Sequence, residues 1–216
     1  MINLDFAVED VAVARNSAIP ALMFRLRISN SEADTPVENV MLQTQLRIEA
    51  THRSYTQSER ERLVELFGNA ADWDRALRSV VWTNASVLVP AFNETCSIEL
   101  PVPCSYDFDL AATKFFFGVE TGHIPLLLLF SGSIFFRNDE DELQIGQIAH
   151  HKEATYRLPV AVWQRMMDCC HHGSVWLRID RGLFDGIYRF KRERRLADWN
   201  EALRLLLRMA QADTRK

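Results

Sequence analysis

The sequence predicts an α+β protein: an antiparallel β-sandwich of about eight or nine strands, with a helical insert and a C-terminal helical segment packed on it. Three observations carry that prediction. Apolar and polar residues alternate strictly along three N-terminal segments, further strand-like runs follow between Val81 and Ile148, and the last part of the chain returns to a helical period. A period of two needs a half-buried antiparallel sheet, where successive side chains meet core and water in turn.

Ile2, Leu4, Phe6 and Val8 share one side of the first predicted strand, Leu22, Phe24, Leu26 and Ile28 line the second, and Val40, Leu42, Leu46 and Ile48 line the third. The opposite parity is polar, with Arg25 and Arg27 on the second strand and Gln43, Gln45, Arg47 and Glu49 on the third. The pattern then changes. Thr56 and Glu59 have the spacing of a capping box, Leu63, Leu66 and Phe67 form an apolar stripe, and Gly68 is placed to end a helix of about three turns. A second short helix is expected over Trp73 to Leu77, which extends the insert to about residue 78.

Strand signals resume at Val81 to Val89 and at Thr95 to Leu100, the latter closed by Pro101 and Pro103. Phe108 to Val119, Ile124 to Phe136 and Leu143 to Ile148 read as a meander, joined by a tight connection at Glu120 to His123 and a polar turn at Arg137 to Asp141. Leu126 to Phe130 is apolar on both parities, the mark of a central strand covered on both faces. The predicted cover is helical. Pro159 opens one helix to about Cys169, Asp180 opens another bearing Phe184, Ile187 and Phe190, and Asp198 with Glu201 caps a last one bearing Trp199, Leu203, Leu206 and Ala210. The expected division is a β-sandwich over 1–155 and a helical segment over 156–216, forming one folded unit.

Composition bounds the rest. At 216 residues, with 48% apolar and 25% charged side chains, the chain can build a full core and is not a disordered type. Met1 to Asp5 lack the basic start of a secretory leader, and Ile124 to Phe130 fall well short of the roughly 20 residues of a membrane span. A cytoplasmic protein with reduced thiols is expected. Charge is uneven: Ile187 to Lys216 hold nine basic and four acidic residues, a local +5 that leaves −9 on the other 186 residues.

Cys169, Cys170, His171 and His172 contain zinc-ligand chemistry, but adjacent helical residues diverge by about 100°, so only Cys169 and His172 share a face. His150 and His151 are distant recruits, no CxxC spacing is present, and neither a metal nor any other cofactor is assigned. Cys104, in a Pro-rich turn near Tyr106 and Asp107, has no nucleophile elbow beside it and reads as a small buried side chain. No catalytic residue is assigned. Lys152, Glu153 and Arg157 suit either pairing across a strand or a partner surface. The basic run Arg189 to Arg195 has no stacking aromatics interleaved on its exposed face, which disfavours nucleic acid.

Five stretches, PALMFRLRI at 20–28, TQLRIEA at 44–50, LPVPCSYDFDLAATKF at 100–115, IPLLLLFSG at 124–132 and KEATYRLPVAVWQRMMD at 152–168, resemble a bacterial family of unknown function. The resemblance covers most of the chain. It implies genes beside those of an actinobacterial-type uptake NiFe hydrogenase, and so an accessory or assembly role by association. It brings no catalytic residues, and the Cys169 to His172 cluster lies outside the resembling pattern.

Three functions therefore compete. The first is a non-enzymatic accessory protein holding a protein partner, such as a hydrogenase subunit or maturation factor. The second is a small-ligand carrier or enzyme with a pocket between sheet and C-terminal helices near Cys104, Tyr106, Lys114 and Arg157. The third is a nucleic-acid-linked regulator acting through Arg192 and Arg195.

Overall fold

A computed structural model describes residues 2–15, 17, 19–32, 35–69, 72–73, 77–104, 107, 110–138, 140–171 and 178–213. Two compact units are present, Met1–Trp176 and Leu177–Lys216.

The first unit is mixed α+β with two antiparallel sheets. Strands β1 (Leu4–Val13), β2 (Ala21–Asn30) and β5 (Thr95–Pro103) form one, in the order β1-β2-β5. The other contains β3 (Val37–Glu49), β4 (Ser79–Val89), β6 (His123–Arg137), β7 (Leu143–Gln147) and β8 (Glu153–Pro159). Its order is β4-β3-β6-β7, with β8 also on β6. The long β6 gives Ser133 to Arg137 to β7 and His123 to Leu129 to β8.

The alternation in the second and third segments is realised. Leu22, Phe24, Leu26, Ile28, Val40, Leu42, Leu46 and Ile48 are all buried, while Arg25 and Arg27 turn outward to Asp10 and Glu9 on β1. In β1 the parity switches part-way. A bulge between Val8 and Asp10 inserts one residue, so Leu4 and Val11, of opposite parity, both reach the core. Residues of the two sheets meet in a shared core: Phe6 stacks on Phe130 at 4.3 Å, and Phe24 packs edge-on against Trp82 and Tyr156.

Three sequence expectations need correction. The strand expected over Phe108 to Val119 is replaced, in its described residues, by helix α3 (Ala111–Gly118). The three phenylalanines favour a strand locally, yet the buried apolar side chains Ala112, Phe115, Phe116 and Val119 have helical spacing. Secondly, the insert is not one helix of three turns. A 3-10 turn (Ala50–His52) precedes α1 (Gln57–Arg62) and α2 (Val64–Phe67), which break at buried Leu63; Gly68, at φ 73°, ends α2 as expected. The stretch beyond Trp73 falls largely outside the described residues. Thirdly, residues 153–159 form β8 and not the start of a helical segment, so α4 (Val160–His171) begins one residue after Pro159.

Two smaller differences have clear causes. Strand β5 continues through Pro101 and Pro103 because it pairs with β2 alone, and an edge strand tolerates residues without an N–H. Strand β6 is central, but of Leu126 to Phe130 only Leu126, Leu128 and Phe130 are fully buried; Leu127 and Leu129 are half-buried. Helix α4 contributes Val160, Trp163, Met166 and Met167 to the core.

The second unit contains α5 (Arg181–Glu193) and α6 (Trp199–Asp213). Both predicted caps form. Asp180 accepts from the Leu183 N–H at 2.8 Å, and Asp198 accepts from the Glu201 N–H at 2.8 Å while Glu201 returns a bond to the Ala197 N–H.

Candidate functional site

The best-defined polar centre is built where β3 ends and α1 begins. Thr56 and Glu59 form the complete capping box, with the Thr56 hydroxyl accepting from the Glu59 N–H at 3.2 Å and the Glu59 carboxylate accepting from the Thr56 N–H at 3.0 Å. The same carboxylate accepts from the Glu120 N–H at 2.8 Å and pairs with Arg53. Both side chains are buried, Arg53 to 8% exposure and Glu59 to 1%. Arg53 also donates to the carbonyls of His123 at 2.7 Å and Thr121 at 2.8 Å, which fixes the turn that opens β6. Gly122 supplies the positive φ of 78° which that turn requires. Burial alone would raise the Glu59 pKa; the two backbone N–H groups and Arg53 outweigh it and hold the carboxyl below its usual range. Burial likewise pushes up the Tyr55 phenol, whose hydroxyl donates to the Ala50 carbonyl at 2.7 Å.

Above this pair lies a cleft of about 370 Å³ bordered by His52, Arg53, Ser54, Thr121, His123 and Arg157. A second cleft of about 380 Å³ runs between Arg62, Phe117, Glu120 and Trp163, and a third of about 370 Å³ lies on β3, β4 and β6 among Gln43, Gln45, Asn84 and Ser131.

The sequence-predicted site residues are dispersed. Cys104 is buried, its N–H bonded to the Pro20 carbonyl, and Tyr106 lies outside the described residues. Lys114 sits on α3 and pairs with Glu65. Neither Cys104 nor Lys114 borders any of these three clefts. Lys152 reaches Asp5 on β1 at 2.8 Å, and the hydrogen bond holds the Asp5 carboxyl below its usual range. Glu153 and Arg157 are exposed on β8. Four residues apart on a strand, they are separated by about 13 Å. Arg192 lies in the last turn of α5, and Arg195 just beyond has a positive φ of 53°. The bonds from Leu196 N–H to Lys191 O and from Arg195 N–H to Arg192 O close the helix as a Schellman motif. Part of the basic run therefore serves the helix end, where cations oppose the macrodipole.

Cys169 is an exposed thiol, but the side chains of Cys170 and His171, and all of His172, lie outside the described residues. His150 and His151 stand perpendicular in the turn before β8. Among the described residues no group of three or more His, Cys, Asp or Glu side chains is gathered to hold a metal.

In the second unit, Phe184, Tyr188 and Trp199 form a triangle with ring centroids 5.2 to 6.2 Å apart. All three rings are exposed, as are Leu183, Leu203, Leu207 and Met209. Sequence reading found the apolar stripes of both helices but not their exposure. It also missed the Arg53 pair and the cleft, although the capping box already marked Glu59.

Fold and cleft together define a two-sheet α+β protein in which a buried ion pair lies beneath a surface cleft bordered by arginine and histidine side chains. The chain belongs to the family of unknown function DUF6084, whose model matches residues 1–215. No curated protein matches it. Among solved structures, it is similar to a protein described as late embryogenesis abundant, at 13% identity and TM-score 0.31, over 73% of this chain and 72% of that one. It is also similar to a protein described as ApaA of Bordetella pertussis, at 8% identity and TM-score 0.25, over 73% and 92%. Likenesses this distant carry no argument. Among the described residues no helix is long and apolar enough to cross a membrane.

Proposed function

We propose that this is a non-enzymatic accessory protein of the cytoplasm, with the two sheets stacked as a sandwich scaffold and the α5–α6 pair as the element that docks another protein. The observation that carries the reading is the exposed triangle of Phe184, Tyr188 and Trp199 beside a basic run. Among the described residues of α5 and α6, Ala202 alone is buried. Two short helices with so little buried area are marginal in isolation, so their apolar face calls for a cover. Charge selects the occupant. Nine basic against four acidic residues over 187–216 favour an acidic amphipathic helix from a partner protein. Packing of Phe24 against Trp82 and Tyr156 supports the stacked sheets. The gene neighbourhood implied by the resemblance makes a NiFe hydrogenase subunit or maturation factor the first partner to try; neither the fold nor the comparisons add support for that link.

The test is crosslinking and mass spectrometry on complexes captured at low salt. Crosslinks should join Lys191 to one acidic segment of one protein. Capture should fall at least tenfold, about 1.4 kcal/mol, in Phe184→Ala/Trp199→Ala and again in Arg192→Glu/Arg195→Glu. A self-dimer abolished by the same variants, or crosslinks from Lys191 only to residues 1–176 of its own chain, would overturn the reading.

A further inference from the structure

We propose that the cleft bordered by His52, His123 and Arg157 is a binding site for a tetrahedral oxyanion, a phosphate group on a small molecule or free phosphate.

The argument starts from strand register. His123 stands opposite Pro159, and Pro125 opposite Arg157, in the antiparallel β6–β8 ladder. Paired residues share a face, so His123 and Arg157 occupy diagonal corners of a four-residue patch, about 7 Å apart at Cβ. The other two corners are prolines, which carry no charge and add no donor. His52, from the 3-10 turn, brings a third nitrogen-bearing side chain to the same cleft, and Ser54 a hydroxyl.

The balance of charge follows from the layer beneath. The one acid bordering the cleft, Glu59, is consumed: one oxygen takes Arg53 and the Glu120 N–H, the other takes the Thr56 N–H. Glu120, the next acid along, is paired with Arg62. Arg53 and Glu59 cancel, and among the described residues bordering the cleft no further carboxylate remains to neutralise Arg157. Among the described residues the side chains of His52, His123 and Arg157 make no hydrogen bond or ion pair. Arg53 clamps the carbonyls of Thr121 and His123, so the turn carrying His123 is held in place before any ligand arrives. A fixed turn with unspent donors and no competing anion is the arrangement that binds an oxyanion, and the forked Arg157 guanidinium suits two of its oxygens.

The test is NMR titration of the full chain with inorganic phosphate, and in parallel with glycerol 3-phosphate, at one pH and constant ionic strength. Saturable shifts are expected at the His52 and His123 imidazoles and the amides of residues 121–123, with His150 and His151 as unmoved controls. Arg157→Gln should weaken binding on the order of tenfold, and Arg157→Lys should retain part of it. Arg157 is exposed and unpartnered, so both variants are expected to fold, as the remaining spectrum will show. Tighter glycerol 3-phosphate would assign a phosphomonoester, and tighter phosphate the free ion. Shifts that stay linear to on the order of 50 mM, that move His150 and His151 equally, or that are unchanged by Arg157→Gln would overturn the proposal. Because the site lies within residues 1–176, its failure would leave the α5–α6 docking reading untouched.

Discussion

Replacing Glu59 with alanine tests the centre on which the cleft is built. The substitution removes a buried carboxylate that takes N–H groups from Thr56 and Glu120 and neutralises Arg53. Arg53, at 8% exposure, would keep its carbonyl acceptors but lose its counter-charge, and its Nε already has no partner. Removing one member of a buried pair costs about 3–5 kcal/mol, because the remaining charge stays desolvated. For a chain of this size that is a fall in Tm on the order of 10 °C. Urea unfolding followed by tryptophan fluorescence reads it directly, since Trp73 and Trp163 are buried in the same unit. The acid limb adds a second check. The folded Glu59 pKa is depressed, so its stabilisation is complete above the ordinary glutamate value near pH 4.3 and is lost as pH falls through the lower folded value. Glu59→Gln should flatten that part of the stability curve. A loss below about 1 kcal/mol in Glu59→Ala, or an unchanged acid limb in Glu59→Gln, would show that Arg53 and Glu59 are effectively solvated and refute the reasoning.

Other substitutions probe separate parts of the fold. Gly132 has a φ of 139°, and a Cβ there would stand 2.0 Å from the Met41 carbonyl oxygen on β3; Gly132→Ala should cost more than about 3 kcal/mol in urea unfolding. The Thr44 hydroxyl is buried without a partner, so Thr44→Val should stabilise the protein by about 1 kcal/mol, read as a higher urea midpoint. Arg195 occupies the left-handed position of a Schellman motif where glycine is favoured; Arg195→Gly should stabilise the second unit by about 0.5–1 kcal/mol, read by helical circular dichroism on heating.

Local regularity was legible in the residues. Strict alternation identified β2 and β3 and the sides they bury, because a period of two has one structural solution once a face is covered. The caps at Thr56, Asp180 and Asp198 were legible for the same reason: a side chain bonding its own backbone three residues away needs no distant partner. Of the candidate site residues, Arg157 was found by its place in a charged segment, but its neighbours were not.

Tertiary structure decided whatever depended on distant partners. Phe115 to Phe117 have strand-like side chains, yet Leu63, Phe67 and Trp163 supply the surroundings that select a helix for α3. The β1 bulge is set by its pairing with β2, and β8 pairs with the N-terminal half of β6. Above all, Arg53 and Glu59 are six residues apart in sequence but owe their burial to the turn at residues 120–123, more than sixty residues away. The sequence by itself determined which side chains seek the core and where helices begin, since those are local free energies. Which polar groups are left without partners emerged only once long-range pairing had used up the rest.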